Sequence, residues 1–290
     1  MMDLGHLRSF AEVAERGTIA AAATARDFTA PAVSQHLAKL EREIGTHLFD
    51  RAGRRLRLTD AGKALLPIAL ELLDLEARGR QVARSPQQRP RIVVAGLASA
   101  IDALVVPRLE RLRPHLRLEI VESEDADALR DLRLGTVDLV LVQEYRGVRS
   151  LPGGTDRDPA LTYTPLVTDR LRLVLPPDRS PTTTVADLGD ADWLINGQGT
   201  RCAAATTQIL ETAGLRPTVA AVVADNTTLL ALVSAGHGVT IVPELLLGRA
   251  PALTVADEEL AIERTMFAVH RGTTTEPLAR LLGEFAATRP

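Results

Sequence analysis

The 290-residue chain has a single cysteine, Cys202, only two lysines, Lys39 and Lys63, and no long uninterrupted apolar run. One cysteine excludes an internal disulfide framework and any multi-cysteine zinc site. Without about 18 consecutive apolar residues, no membrane-spanning helix is expected. The opening Met1-Met2-Asp3-Leu4-Gly5-His6-Leu7-Arg8 lacks the basic start and apolar stretch of a signal peptide, so the protein is expected in the cytoplasm, with no membrane partner. The six histidines, at positions 6, 36, 47, 115, 237 and 270, are scattered without metal-ligand spacing. Gly197-Gln198-Gly199 lacks the third glycine of a dinucleotide fingerprint and the ending of a phosphate loop. No Gly-x-Ser-x-Gly elbow occurs. Neither a catalytic constellation nor a cofactor or metal is therefore expected.

What remains is an ordinary globular composition, 46% hydrophobic and 24% charged, which excludes wholesale disorder. The length suits about two domains. The net charge of −3 is unevenly spread. Residues 1–85 hold 13 basic and 11 acidic side chains, and residues 86–290 hold 21 and 26. A surplus of two does not imply nucleic acid by itself, so local clustering matters more.

Leu4, Leu7, Phe10, Ala11 and Ala14 recur at spacings of three and four and predict a helix over about residues 3–16, ended by Gly17. Thr18 caps an alanine-rich helix through Ile19–Ala25, and Arg26-Asp27-Phe28 form a turn. Thr29 caps a third helix with Pro31 in its first turn and Val33, Leu37, Leu40 and Ile44 as its buried stripe, stopped by Gly45. This is a helix-turn-helix. The start of its second helix (Ala30, Pro31, Ser34, Gln35) lies opposite the stripe, where such motifs enter the major groove. Gln35 suits a bidentate bond to an adenine edge. In isolation these would be ordinary solvated helix residues. The next segment shifts the balance: Leu48–Leu58 alternates with period two around Ala52-Gly53, giving a two-stranded wing with Arg51, Arg54, Arg55 and Arg57. Arginine suits phosphate and a narrow minor groove. The candidate DNA contacts are Thr29, Ala30, Pro31, Ser34, Gln35, Lys39 and these four arginines.

Residues 2–66 closely resemble the DNA-binding domain of LysR-type transcriptional regulators. The resemblance rests on Met2-Asp3-Leu4 through Phe10, Val13-Ala14-Glu15-Arg16-Gly17, Pro31-Ala32-Val33-Ser34-Gln35-His36-Leu37, Leu40-Glu41-Arg42-Glu43-Ile44-Gly45, Leu48-Phe49-Asp50-Arg51 and Leu58-Thr59-Asp60-Ala61-Gly62. It implies that Ala30, Pro31, Ser34 and Gln35 face the bases while the wing meets the backbone and minor groove. The family often carries glutamine where this chain has Ala30, and arginine or lysine where it has Gln35.

From Thr59 onward, Ala61, Leu65, Ile68, Leu72 and Leu75 keep an apolar seam at helical spacing, with Pro67 inside it. Either the seam packs on its own domain or it meets a second subunit. The second reading is preferred, with Leu65, Ile68, Leu72 and Leu75 as dimer contacts, and resembles the family's linker helix. A two-fold dimer matches a double-stranded operator with dyad symmetry. Ser85–Pro90 reads as a hinge.

Beyond residue 90 short apolar strands alternate with helices. Strands are expected at 91–95, 116–121, 137–141, 169–175, 193–195, 218–223, 239–242 and 264–270, and helices at 99–113, 125–134, 200–213, 227–235 and 277–287. Two α/β units joined by two crossing strands describe a bilobed, periplasmic-binding-protein-like fold, as in the effector domain of the same family. The expected organisation is a winged helix-turn-helix over 1–59, a linker helix and hinge over 60–89 and an effector domain over 90–290. Its lobe I takes about 90–163 plus 270–290, and lobe II about 164–269. Ligands in such folds sit at strand C-termini between the lobes. Ala98 and Ser99, Asn196, Gly197 and Thr200, and Asp225 and Asn226 stand at helix N-termini there, which favour an anion such as a carboxylate, though each also reads as a plain N-cap. Gln143 and Glu144 follow the third strand and are further candidates. His237, between two glycines, reads as a turn residue. Cys202 lies in a helix's first turn, where the dipole lowers a thiol pKa; a buried or pocket-lining thiol is the preferred reading, and no intramolecular disulfide is open to it.

The function these features imply is a ligand-responsive, DNA-binding transcriptional regulator, a homodimer or homotetramer, whose small-molecule effector changes the DNA-bound oligomer. An activator of this kind would also meet RNA polymerase. A small-molecule binding protein without a regulatory role is the alternative, and salt-dependent DNA binding separates the two.

Overall fold

The computed structural model describes the chain except residues 1, 53–54, 85–88, 150–156, 198, 250–251, 273 and 288–290. It divides into two compact units. The first comprises Met1–Ala95, Arg111–Val140 and His270–Leu278; the second comprises Gly96–Glu110, Leu141–Val269 and Ala279–Pro290.

In the first unit, helices α1 (Leu4–Arg16), α2 (Ile19–Ala25) and α3 (Ala30–Ile44) are followed by strands β1 (Phe49–Ala52) and β2 (Arg55–Leu58) and by the long helix α4 (Asp60–Arg84). The starts are set by side-chain caps: Asp3 accepts from the Gly5 and His6 N–H groups, Thr18 from Ala21 and Thr29 from Ala32. Gly17 and Gly45 end α1 and α3 in the left-handed conformation, at φ 76° and 82°. Leu7, Phe10, Val13, Ala22, Ala23, Val33, Leu37, Leu40 and Leu48 form one buried cluster. Ile44, expected in that stripe, is exposed, because the helix ends beside it. Gly62 is required where α4 leaves the wing: a Cβ there would overlap the Leu48 carbonyl oxygen. The helix continues through Pro67.

The remaining elements begin with β3 (Arg91–Gly96), α5 (Ala98–Ala100), α6 (Leu109–Leu112), β4 (Arg117–Glu122), α7 (Asp125–Arg133) and β5 (Leu139–Arg146). They continue with β6 (Leu161–Leu175), β7 (Asp192–Asn196), α8 (Arg201–Thr212), β8 (Thr218–Val223), α9 (Asn226–Ser234), β9 (Thr240–Pro243), β10 (Thr254–Val255), β11 (Glu263–Arg271) and α10 (Glu276–Ala287). In the first unit β3 lies beside β4, and in the second β6 lies between β10 and β11. β6 also pairs antiparallel with β9, and β7 runs parallel to β8. The second unit's main core gathers Tyr145, Leu171, Leu173, Trp193, Cys202, Ile209, Ile241 and Ile262. A second cluster sets Leu229, Leu230 and Val233 of α9 against Val174, Leu194 and Val242.

Several expectations are corrected. The helix expected over 99–113 is broken into α5, a π-turn at Ile101–Val105, a 3₁₀ turn at Val106–Arg108 and α6; Pro107 lacks the N–H that a continuous helix needs. β5 runs to Arg146, so Gln143 and Glu144 lie within the strand rather than after it. β6 begins at Leu161, eight residues earlier than its apolar run suggests, because Thr162, Tyr163, Thr164 and Val167 suit a strand although Pro165 reads as a break. Most of the Ser85–Pro90 hinge, Gly53 and Arg54 fall outside the described residues. Among the described residues no helix is long and apolar enough to cross a membrane.

Candidate functional site

The first candidate surface is the outer face of α3 with the wing. The α2–α3 turn closes through the Phe28 N–H to the Ala23 carbonyl (2.9 Å), with Asp27 at φ 53°. Burying Val33, Leu37 and Leu40 forces the opposite face outward, since a helix repeats every 3.6 residues. Thr29, Ala30, Pro31, Ser34, Gln35 and Lys39 are all exposed there. The wing is anchored by the Leu56 N–H to the Gly17 carbonyl (2.9 Å), and Leu48 N–H donates to Glu41 Oε1 (2.8 Å). Leu56 and Leu58 turn inward while Arg55 and Arg57 stay exposed. Register places Arg51 opposite Leu56 and Arg57 opposite Asp50, so Arg51, although exposed, extends from the other face of the ribbon than Arg55 and Arg57. Behind α3, His36 Nδ1 meets Ser9 Oγ at 2.8 Å, and its ring lies 5.0 Å from that of His6. Burial, then the neighbouring His6 and Lys39, hold the His36 imidazole below its ordinary pKa.

The apolar seam of α4 splits. Leu65 and Leu72 are half-buried and pack against the helix-turn-helix core. Ile68 and Leu75 are 54% and 57% exposed.

The second candidate surface lies in the second unit, where β7 and β8 end and α8 and α9 begin. Asn196 Nδ2 donates to Asn226 Oδ1 (3.0 Å), and Thr200 Oγ1 contacts Asn196 Oδ1 (3.3 Å) and the Gly197 carbonyl (2.8 Å). Thr200 also caps α8 by accepting from the Ala203 N–H (3.1 Å). Sequence-predicted Asn196, Gly197, Thr200 and Asn226 are thus brought together. Asp225 differs. Its carboxylate accepts from Thr227 N–H, Thr228 N–H and Thr228 Oγ1, which hold its pKa below the ordinary value. The N-terminus of α9 already carries an anion of its own, whereas that of α8 is capped by a neutral hydroxyl. Ala98 and Ser99 stand on α5, whose three residues supply little dipole.

Gln143 and Glu144 are engaged elsewhere. Glu144 pairs with Arg157 through two bonds of 2.9 Å, and that guanidinium lies 4.3 Å over the Phe267 ring. Gln143 belongs to a buried network that sequence reading missed. Arg264 Nε and Nη2 donate to the two Asp169 oxygens (2.9 and 2.8 Å), Arg264 Nη1 donates to Gln143 Oε1 (3.3 Å), and the Leu245 N–H donates to Asp169 (2.9 Å). Arg264 is 1% exposed. Burial works against its charge, yet the bonded Asp169 carboxylate holds its pKa above the ordinary value. Arg201 Nη1 donates to the Gln143 carbonyl (2.7 Å), setting a cation at the first turn of α8. The only available sequence signal was a charged residue in each of two β-rich runs. Cys202 is buried against this network, and burial pushes its thiol pKa up, so the helix-dipole effect does not prevail. Among the described residues no cluster of three or more His, Cys, Asp or Glu is placed to hold a metal.

Two family profiles match the chain. "Bacterial regulatory helix-turn-helix protein, lysR family" covers residues 4–63 and "LysR substrate binding domain" covers residues 83–289. The chain is 30% identical over 251 residues to the transcriptional regulator MetR of Salmonella typhimurium, covering 84% of this chain and 75% of that protein. It is 28% identical over 253 residues to the regulator TfdS of Cupriavidus pinatubonensis, covering 83% and 82%. Among solved structures, full-length OxyR from Pseudomonas aeruginosa aligns with a TM-score of 0.60 at 22% identity, over 99% of this chain and 94% of that one. Full-length CbnR complexed with its target DNA aligns with a TM-score of 0.56 at 24% identity, over 99% of both chains.

Proposed function

The chain belongs to the LysR family of bacterial transcriptional regulators, DNA-binding proteins with an effector-binding domain, and on that premise we propose which of its residues do each task. The start of α3 reads base edges through Ser34 and Gln35, with Ala30 and Pro31 small enough for close approach and Thr29 and Lys39 beside them. Arg55 and Arg57, joined by Arg51 and Arg54, hold the phosphate backbone and minor groove. Ile68 and Leu75 meet a second copy of α4, giving a homodimer on a dyad-symmetric operator, two such dimers forming a homotetramer. As an activator the assembly also contacts RNA polymerase. The domains divide at about residues 59 and 89.

The effector is a small anion, a carboxylate being the favoured class. One observation carries this reading: at the adjoining ends of β7 and β8, α9 is closed by the Asp225 carboxylate, while α8 opens behind neutral Thr200 with Arg201 in its first turn. First-turn N–H groups, the helix dipole and a guanidinium together favour negative charge. Asn196, Gly197 and Asn226 orient the ligand beside it, with Ser99 and Gln143 at the margin. Binding shifts the equilibrium between two placements of the paired DNA-binding domains.

The test is thermal unfolding of the full chain across carboxylates, amino acids, aromatic acids and their neutral amides. A ligand of the folded state raises the melting temperature. A dose-dependent rise with a carboxylate, absent with its amide and reduced in Arg201→Ala, is the expected result. A neutral compound that stabilises equally well would sink the anion reading.

A further inference from the structure

Within the first unit, the helix-turn-helix is seated on the C-terminal end of α7 by a contact that neither DNA recognition nor effector binding uses. Leu134, just after α7, is buried against Ala11 of α1 and Leu73 of α4, with Leu66 and Leu70 beside it. Ion pairs surround this apolar point. Arg133 Nε donates to both Glu15 oxygens at 3.0 Å and its Nη2 lies 2.9 Å from Oε2. Arg271 Nη2 lies 2.8 Å from Asp74 Oδ1 on α4. Arg16, held by Glu12 at 2.8 Å, reaches Asp131 at 3.9 Å. Acidic side chains of α1 and α4 thus face arginines of the regulatory part, with one pair reversed. Side-chain exposure is 11% for Glu15 and 15% for Arg271, so these pairs escape much of the screening that weakens surface bridges. The α3 residues Ser34 and Gln35 remain exposed, so the contact leaves the DNA face uncovered.

We propose that this surface, Glu15–Arg133, Asp74–Arg271 and Arg16–Asp131 around Leu134, is an interdomain latch that fixes the orientation of the DNA-binding domain on its own regulatory domain. It orients rather than blocks, because the recognition face stays free. Its link to the effector part is covalent: β11 carries Arg264, held in the buried network, near its start and Arg271 at its end. The regulatory meaning of the latch rests on the DNA-binding reading above; its existence does not.

The test measures distances by pulsed electron spin resonance in the full chain, with spin labels at Thr24→Cys and Ala126→Cys, both exposed, and labelled protein diluted into unlabelled excess. The latch predicts a single narrow distance. Arg133→Glu should lose that narrow peak and Glu15→Arg/Arg133→Glu should restore it, as a charge-paired contact requires. Glu15→Gln serves as a gentler release should the reversal disturb folding, which circular dichroism reports. A broad distribution in the parent protein, or the same narrow peak in both released variants, overturns the proposal. Salt-dependent binding to a random-sequence DNA duplex is measured on the same samples. Its absence would sink the DNA reading and leave the distance result standing.

Discussion

The two functional surfaces of this chain carry their polar groups in opposite ways. On α3 and the wing, Ser34, Gln35, Arg55 and Arg57 stand exposed on a small apolar core. At the end of β7 and in the network behind it, Asn196, Gln143 and Arg264 are buried at 9%, 8% and 1% exposure and bonded to one another or to close neighbours. The first surface leaves the Arg55 and Arg57 side chains exposed, as the proposed contact with a polyanion needs. In the second, Asn196, Thr200, Gln143 and Arg264 bond to one another or to near neighbours, and the proposed ligand is assigned to the first turn of α8. On the proposed reading, exposed groups there govern affinity and buried groups here govern stability.

The sharpest way to break that contrast is Arg264→Met. Removing one partner of a buried pair leaves Asp169 uncompensated and is expected to cost about 3–5 kcal/mol. Urea unfolding followed by Trp193, which shares the second unit's core, measures it. Asp169→Leu/Arg264→Met should recover much of the loss, since a well-packed apolar pair replaces both charges. A neutral Arg264→Met would show that the network carries no such weight. On the outer surface, Gln35→Ala should leave unfolding unchanged and lose about 1–3 kcal/mol of discrimination at one base pair. Affinities across a set of single-base operator variants would reveal it, and an equal loss on every sequence would remove Gln35 as a base reader.

The same contrast explains what was legible in the amino-acid sequence. The helix-turn-helix is built from contiguous residues, so a 3.6-residue period and the caps Thr18 and Thr29 locate its face within one segment. Period-two alternation likewise placed Arg55 and Arg57 outward. Such local signals cannot bring Asp169 to Arg264, which are 95 residues apart. Nor can they show that Glu144 is turned to Arg157, or that Asp225 serves its own helix. The seam of α4 was legible as a seam, but Leu65 and Leu72 face the domain's own core while Ile68 and Leu75 do not, and periodicity alone does not divide one stripe between two partners.

Two smaller effects sharpen the comparison. Thr200→Ala removes the α8 cap and should cost about 0.5–2 kcal/mol, together with part of any carboxylate-induced rise in melting temperature. An unchanged response to the ligand would place the anion elsewhere. In the DNA-binding unit, burial of His36, with His6 and Lys39 nearby, favours its neutral form in the folded state. The unfolded chain then binds the proton more readily, so this stability is present above the ordinary histidine value of about 6.5 and is lost as the pH falls below it, through the lower folded value. The melting temperature of the isolated unfolding step of this unit should drop across that window, and His36→Gln should flatten the drop.

The outward arginines are the residues on which DNA binding is proposed to depend, and a salt titration of the full chain on duplex DNA tests them. The logarithm of the affinity should fall linearly with the logarithm of salt concentration, and Arg55→Ala and Arg57→Ala should each reduce the slope by about one while weakening binding to all sequences alike. A slope that the two substitutions leave untouched would mean that the wing does not hold the phosphates, and would contradict the assignment of this surface.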